Sequence, residues 1–261
     1  MKKTLLTQLP DMPYEISAFI YGANIYDSSC SPEARVYFVD TGKGYYIKSA
    51  PTGMLKTEAE MTAYFHDKGL GAEVLQYVSA GEHDWLMTSA VSGEDCTSFE
   101  YLSDPKRLTD TIATKLRELH ELDFSDCPIK NKNESYLALA KENYEKSQFD
   151  LSYLSSEIKN PTKDVAYSIL TEEKDALKCE VLLHGDYCLP NIMLDGWDFS
   201  GFVDLGGAGV GDRHIDLFWG AWTLNFNLKT DKYRERFFDA YGRDKVDAEI
   251  IKIISAAEVF G

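Results

Sequence analysis

The chain has 261 residues, enough for one large domain or two lobes, and its 44% apolar and 27% charged content is ordinary for a globular protein. The charge is not ordinary: 43 acidic against 27 basic residues leave −16, which argues against a nucleic-acid partner and suits a cationic small molecule. No apolar run reaches the length of a membrane span or of a signal peptide, and the five scattered cysteines form no CxxC pair, so a cytoplasmic protein with reduced thiols is expected.

In chain order, residues 35–39 and 44–48 are β-branched and aromatic and flank the turn Asp40-Thr41-Gly42-Lys43, which predicts a hairpin. Residues 54–66 follow as a helix, and 74–78 and 85–87 as two more strands around Gly81. Beyond Gly93 the pattern turns helical. Asp104 caps a helix with Pro105 at its first position, and Leu108, Ile112, Leu116 and Leu119 repeat at helical spacing. Further helices are expected at 134–147, 162–178, 213–228, 231–241 and 246–259. The division expected is a β-rich lobe over 1–91 and a helical lobe over 92–261, hinged at about 88–94.

The segment with most chemistry is His184-Gly-Asp-Tyr-Cys-Leu-Pro-Asn191, followed by two short strands around Gly196 and then Phe202-Val-Asp-Leu-Gly206. Magnesium-dependent phosphoryl transfer needs a carboxylate at the attacking hydroxyl and hard oxygen ligands for the metal. Asp186, Asn191 and Asp204 supply these groups, and a hairpin between them brings distant positions together.

H-G-D-x-x-x-x-N, then G-F-V-D-L-G, then Asp216 resembles the aminoglycoside phosphotransferase family, a branch of the protein-kinase-like fold. The stretch Leu119-His-Glu-Leu-Asp-Phe-Ser-Asp-Cys-Pro128 is similar to one in the aminoglycoside 3′-phosphotransferases. The resemblance implies an α+β, bilobal fold, with a small antiparallel β lobe carrying one helix and a larger, mainly helical lobe. It implies Asp186 as the catalytic aspartate and Asn191 and Asp204 as Mg2+ ligands. His184 and Asp216 would organise the catalytic loop, and Gly206 and Gly207 would allow the turn after the metal ligand.

For ATP, with GTP as the alternative nucleotide, the resemblance implies Lys48 on the α and β phosphates and Glu58 as its partner, Glu60 being the rival by spacing. Tyr46 would stack on adenine, Thr88 and Ala90 would offer backbone hydrogen bonds to it, and Ser31 would serve a phosphate loop that lacks glycine. An aminoglycoside acceptor implies carboxylates, with Glu157, Glu258 and the aromatic Phe260 as candidates beside Asp186. The chain departs from the pattern at Gly207, where some members have arginine, at Phe226 and Asn227, where some have acids, and at Gly261, which follows the expected terminal aromatic.

The function expected is ATP- and Mg2+-dependent phosphorylation of an aminoglycoside hydroxyl, conferring antibiotic resistance, by a monomer or homodimer. One alternative keeps the chemistry with another small alcohol, such as a sugar, choline-like or macrolide compound. A silent nucleotide-binding pseudokinase is the non-enzyme alternative. It would be expected to lack one of Lys48, Asp186, Asn191 and Asp204, and all four are present.

Overall fold

Alternating apolar and polar residues build the first sheet, as period-two side chains on a pleated strand require. The computed structural model describes residues 3–8, 10–30 and 34–261. It contains two compact units, one of Met1–Gly93 with Met193–Gly206 and the other of Glu94–Ile192 with Gly207–Gly261. The first unit therefore takes a segment from far along the chain, which a single cut near the hinge does not describe.

In the first unit, β1 (Thr4–Leu5), α1 (Tyr14–Ser17), β2 (Asn24–Asp27), β3 (Arg35–Asp40) and β4 (Tyr45–Pro51) precede α2 (Lys56–Asp67), β5 (Val74–Ala80) and β6 (His83–Ser89). The strands form an antiparallel sheet in the order β1-β2-β3-β4-β6-β5. Register sets Tyr46 between Phe38 and Thr88, and Lys48 between Val36 and Leu86. Ile47 faces a core with Ile16, Ile25, Val39, Trp85 and Met87. Ala50, two residues from Lys48 and so on its face, packs with Leu55, Ala59 and Leu86, where α2 covers the sheet. Alternation thus puts Lys48 on the helix side. No side chain of its own caps α2; buried Asp84 instead accepts the Gly53 and Leu55 N–H groups, at 2.8 and 3.1 Å, and ties the helix entry to β6.

The second unit runs β7 (Glu94–Asp95), α3 (Phe99–Leu102), α4 (Pro105–His120), α5 (Lys132–Glu145), α6 (Lys163–Glu173) and β8 (Val181–Leu183). Asp104 caps α4 through the Arg107 N–H at 3.3 Å, and Leu108, Ile112, Leu116 and Leu119 are buried, as their spacing requires. The helix expected over 162–178 is shorter: α6 ends at Glu173 and a 3-10 turn covers Lys174–Ala176.

β9 (Ile192–Asp195) and β10 (Asp198–Phe202) form the expected hairpin. Gly196 and Trp197 have φ of 57° and 82°, the left-handed pair that a two-residue hairpin turn demands. The Phe202 N–H donates to Leu70 at 2.7 Å and Gly71 bridges Phe202 in parallel, so the hairpin joins the first unit. The chain then returns through β11 (Gly209–Gly211), antiparallel to β8, to α7 (His214–Leu228), α8 (Arg234–Tyr241) and α9 (Ala248–Glu258). The core here joins Ala140, Leu154, Ala166 and Leu170 to Ile253, Ala256, Val259 and Phe260. Strands β1, β2, β8 and β11 have no clear signal in sequence; three of these are only two or three residues long. Among the described residues, no helix is long and apolar enough to cross a membrane.

Candidate active site

The candidate residues fall into two groups, one in each unit. In the first, Lys48 on β4 donates to Glu58 of α2 and to Asp204, each at 2.8 Å. Glu58, not Glu60, is the helix partner; Glu60 pairs at the surface with Lys56 at 4.0 Å. Burial pulls the Lys48 ammonium down, but the two carboxylates beside it leave its pKa raised, so it stays charged. Burial pushes Glu58 up, against the pull of Lys48, and the Asp204 charge adds to the push. Asp204 is half exposed and sits at φ 61°, a left-handed conformation that Asp tolerates better than most residues. The turn after the metal-ligand candidate therefore begins on Asp204 itself, and neither Gly206 nor Gly207 has positive φ.

Tyr46 lies on the Lys48 face with its ring 5.2 Å from Phe38, and the Lys3 ammonium stands over both rings, 3.2 Å from the Phe38 centroid and 5.5 Å from that of Tyr46. Thr88 is cross-strand from Tyr46. The Ala90 N–H donates to the Gly44 carbonyl at 3.1 Å. Ser31 lies outside the described residues.

In the second unit, Asp216 of α7 accepts the backbone N–H groups of His184 and Gly185, both at 2.8 Å, and so fixes the start of the 184–191 loop. Asn191 closes the loop by donating to the Asp186 backbone carbonyl at 3.0 Å and to its carboxylate at 2.8 Å. With Nδ2 committed to Asp186, the amide oxygen of Asn191 is the atom suited to a hard cation. Among the described residues no three His, Cys, Asp or Glu side chains form a metal cluster. One amide and single carboxylates suit magnesium that also takes phosphate and water oxygens, not a cage built by protein alone.

The acceptor candidates are distributed unevenly. Glu157 is exposed and lines a cavity of about 320 Å³ with Tyr153 and Trp222. Glu258 is only 4% exposed, and its Oε1 accepts from the Tyr136 hydroxyl at 2.8 Å and the Trp219 indole at 3.0 Å. Burial raises its pKa to about 7, against those two donors and with help from the Asp186 charge. Phe260 does not reach a surface: it is 1% exposed, with its ring edge against Tyr144 and Tyr167. The last aromatic of the chain is a core residue, because α9 carries it into the packing between α5 and α6.

Three further residues shape the loop and had no assigned role in sequence. His120 is buried, with Nε2 3.1 Å from Asp216 and Nδ1 2.8 Å from the Tyr241 hydroxyl. Because a carboxylate only accepts, Nε2 carries the hydrogen and Tyr241 donates to Nδ1. Thr223 of α7 accepts the Leu189 N–H at 3.1 Å, and Tyr187 donates to the Ile112 carbonyl at 2.7 Å. The L-H-x-L-D pattern was the one signal that could have pointed to His120.

An antiparallel sheet with a lysine–glutamate pair, a helical unit, and an Asp–Asn loop braced by a buried aspartate define a kinase-like phosphotransferase. A model of the phosphotransferase enzyme family matches residues 32–250, and the chain belongs to that family. It is 48% identical to a probable aminoglycoside 3′-phosphotransferase of Lactococcus lactis, over 99% of this chain and 98% of that one. It is 32% identical to an aminoglycoside 3′-phosphotransferase of Niallia circulans, covering 84% and 85%. The fold matches the crystal structure of an aminoglycoside-3′-phosphotransferase of type VIII with a TM-score of 0.76 at 23% identity, over 94% and 96% of the two chains. It also matches an aminoglycoside phosphotransferase of Streptomyces rimosus in complex with ADP and streptomycin, with a TM-score of 0.71 at 24% identity over 87% and 90%.

Proposed function

We propose that this chain is an ATP- and magnesium-dependent kinase that transfers the γ-phosphate to a hydroxyl of an aminoglycoside, and so confers resistance in the cytoplasm. The observation that carries the reading is the Lys48 ammonium, paired at 2.8 Å with both Glu58 and Asp204. A lysine held this way by a buried helix carboxylate stays charged, which supports a role on phosphate oxygens. The similarity to the 3′-phosphotransferases of Lactococcus lactis, over nearly the whole chain, and of Niallia circulans supports the acceptor class.

Bound Mg-ATP supplies the phosphoryl group and neutralises its developing charge. The residues of the chain do the rest. Lys48 holds the α and β phosphates, while Tyr46 offers a ring to adenine. Asn191 and Asp204 would supply oxygen ligands to magnesium. Asp186 accepts a hydrogen bond from the acceptor hydroxyl, aims it and takes its proton as the hydroxyl oxygen bonds to the γ-phosphorus, while the γ-phosphorus bond to the β-phosphate oxygen breaks and ADP leaves. The transition state is loose, so this positioning matters more than early proton removal. Asn191 keeps the Asp186 carboxylate oriented. Glu157 and the charge of Glu258 draw the ammonium groups of the drug towards this loop.

A coupled assay for ADP release tests the reading, with ATP, magnesium and kanamycin, neomycin, gentamicin or lividomycin, each against a drug-free control. Drug-stimulated turnover is expected, and it should depend on a free 3′-hydroxyl. Asp186→Ala should lower kcat by at least about a hundredfold, the usual scale of a positioned general base, with nucleotide binding intact. Turnover by Asp186→Ala at the wild-type rate would reject the mechanism. Silence of the wild type with every drug would move the acceptor to another small alcohol.

A further inference from the structure

Helix α7 presents an aromatic strip next to the catalytic loop. Thr223 touches that loop through the Leu189 N–H, and Asn227 folds back on Thr223 with donor distances of 2.8 and 3.1 Å. Trp219 and Phe226 lie four and three residues from Thr223, on the same helical neighbourhood. From Phe226 the rings are continuous: Trp222 stacks on it at 4.9 Å, Trp219 meets Trp222 edge-on at 5.3 Å, and Tyr153 leans on both from across the cavity. Trp219 ends the strip by donating to Glu258. Burial pushes the Tyr153 hydroxyl up, and the charges of Asp150 and Glu258, with a smaller share from Asp186, add to the push.

Phe226 is the outermost ring and is 53% exposed. Trp222 fills one of its faces. Over the ring stands the Lys229 ammonium, 4.3 Å from the centroid, projected by a residue in the left-handed conformation that ends α7. A cation at this distance is attracted by the negative face of the ring. Lys229 is exposed and only a few bonds of flexible stem hold it there, so another ammonium can exchange with it.

We propose that the outer face of Phe226 is a cation seat of the acceptor site, occupied at rest by Lys229 and taken by a protonated amino group of the aminoglycoside. The proposal rests on the acceptor reading given above. It assigns specificity to a ring where a carboxylate would otherwise be expected, and it makes Lys229 an internal competitor.

The test is a double-substitution cycle read as KM for kanamycin and for ATP. Phe226→Leu keeps apolar bulk and removes the ring quadrupole; it should raise the kanamycin KM about fivefold, with the ATP KM within about twofold of wild type. Phe226→Tyr keeps the quadrupole and should retain the wild-type value. Lys229→Met should lower the kanamycin KM about threefold, because the competing ammonium is gone. In the double variant with Leu at 226, the Lys229 change should have no effect. A kanamycin KM for Phe226→Leu within twofold of wild type, or simply additive effects of the two substitutions, would overturn the cation seat while leaving the kinase intact. No drug-stimulated ADP release by the wild type would overturn the acceptor reading and the seat together.

Discussion

Glu258 combines opposing demands in one side chain. Two donors hold its Oε1, yet burial and the Asp186 charge lift its pKa to about 7. A carboxyl whose pKa is raised by folding stabilises the folded state below its ordinary pKa, near 4.5. That contribution is lost as pH rises from there through 7. An elevation of this size corresponds to a few kcal/mol, on the order of 1.4 per unit. Glu258→Gln keeps the oxygen that accepts from Tyr136 and Trp219 but cannot ionise. Its melting temperature should exceed that of the wild type at pH 8, and the margin should shrink at pH 5. A margin that does not change with pH would show that ionised Glu258 costs nothing. Its neighbours illustrate what a sequence discloses at this scale. Asp186, Asn191 and Asp204 stand out in the sequence because phosphoryl transfer fixes residue type and spacing together, and the structure pairs Asn191 with Asp186 and Lys48 with Asp204. His120 does not stand out, since its importance lies in Asp216, 96 residues away, and a lone histidine on a helix reads as core.

At the scale of elements, the 184–191 loop is set from outside itself. Asp216 and Thr223 on α7 and Ile112 on α4 bind its backbone or its tyrosine, while Asn191 closes it from within. The loop also needs room. A Cβ at Gly185 would lie 1.9 Å from the Gly207 carbonyl oxygen, and one at Gly207 would lie 2.9 Å from the Gly185 carbonyl. This close approach, and not a turn, explains glycine at 207. Gly207→Ala should therefore displace the loop, lowering kcat about tenfold or more, as an ångström-scale misplacement does. Steady-state kinetics beside a thermal melt would check it: a fall in melting temperature with unchanged kcat would place the effect elsewhere. The longer elements were readable from period and caps, as with Asp104 and Pro105 at α4. Strands as short as β8 and β11 carry too few residues for any period to register.

Across the whole molecule, net charge governs the encounter with substrate. An excess of sixteen negative charges raises the local concentration of a polycation and accelerates its approach, and salt screens that effect over about 10 Å at 0.1 M. The kanamycin KM should rise as sodium chloride is taken from about 20 to about 200 mM, through a range where the screening length contracts severalfold. The anionic nucleotide should show no such loss. A kanamycin KM independent of salt would leave the acidity to solubility alone.

The assignment of Met193–Gly206 to the first unit has a consequence for synthesis. A chain emerging from the ribosome has its six-stranded sheet complete once β6 has appeared, but Lys48 must wait for Asp204, 156 residues further on. Through most of translation, Lys48 has only Glu58, and the backbone at Leu70 and Gly71 that receives the hairpin is uncovered. Expression of the N-terminal ninety-three residues alone would fix the protein in that immature condition. The first unit, taken from this protein on its own, should therefore be cut from two places in the gene and rejoined.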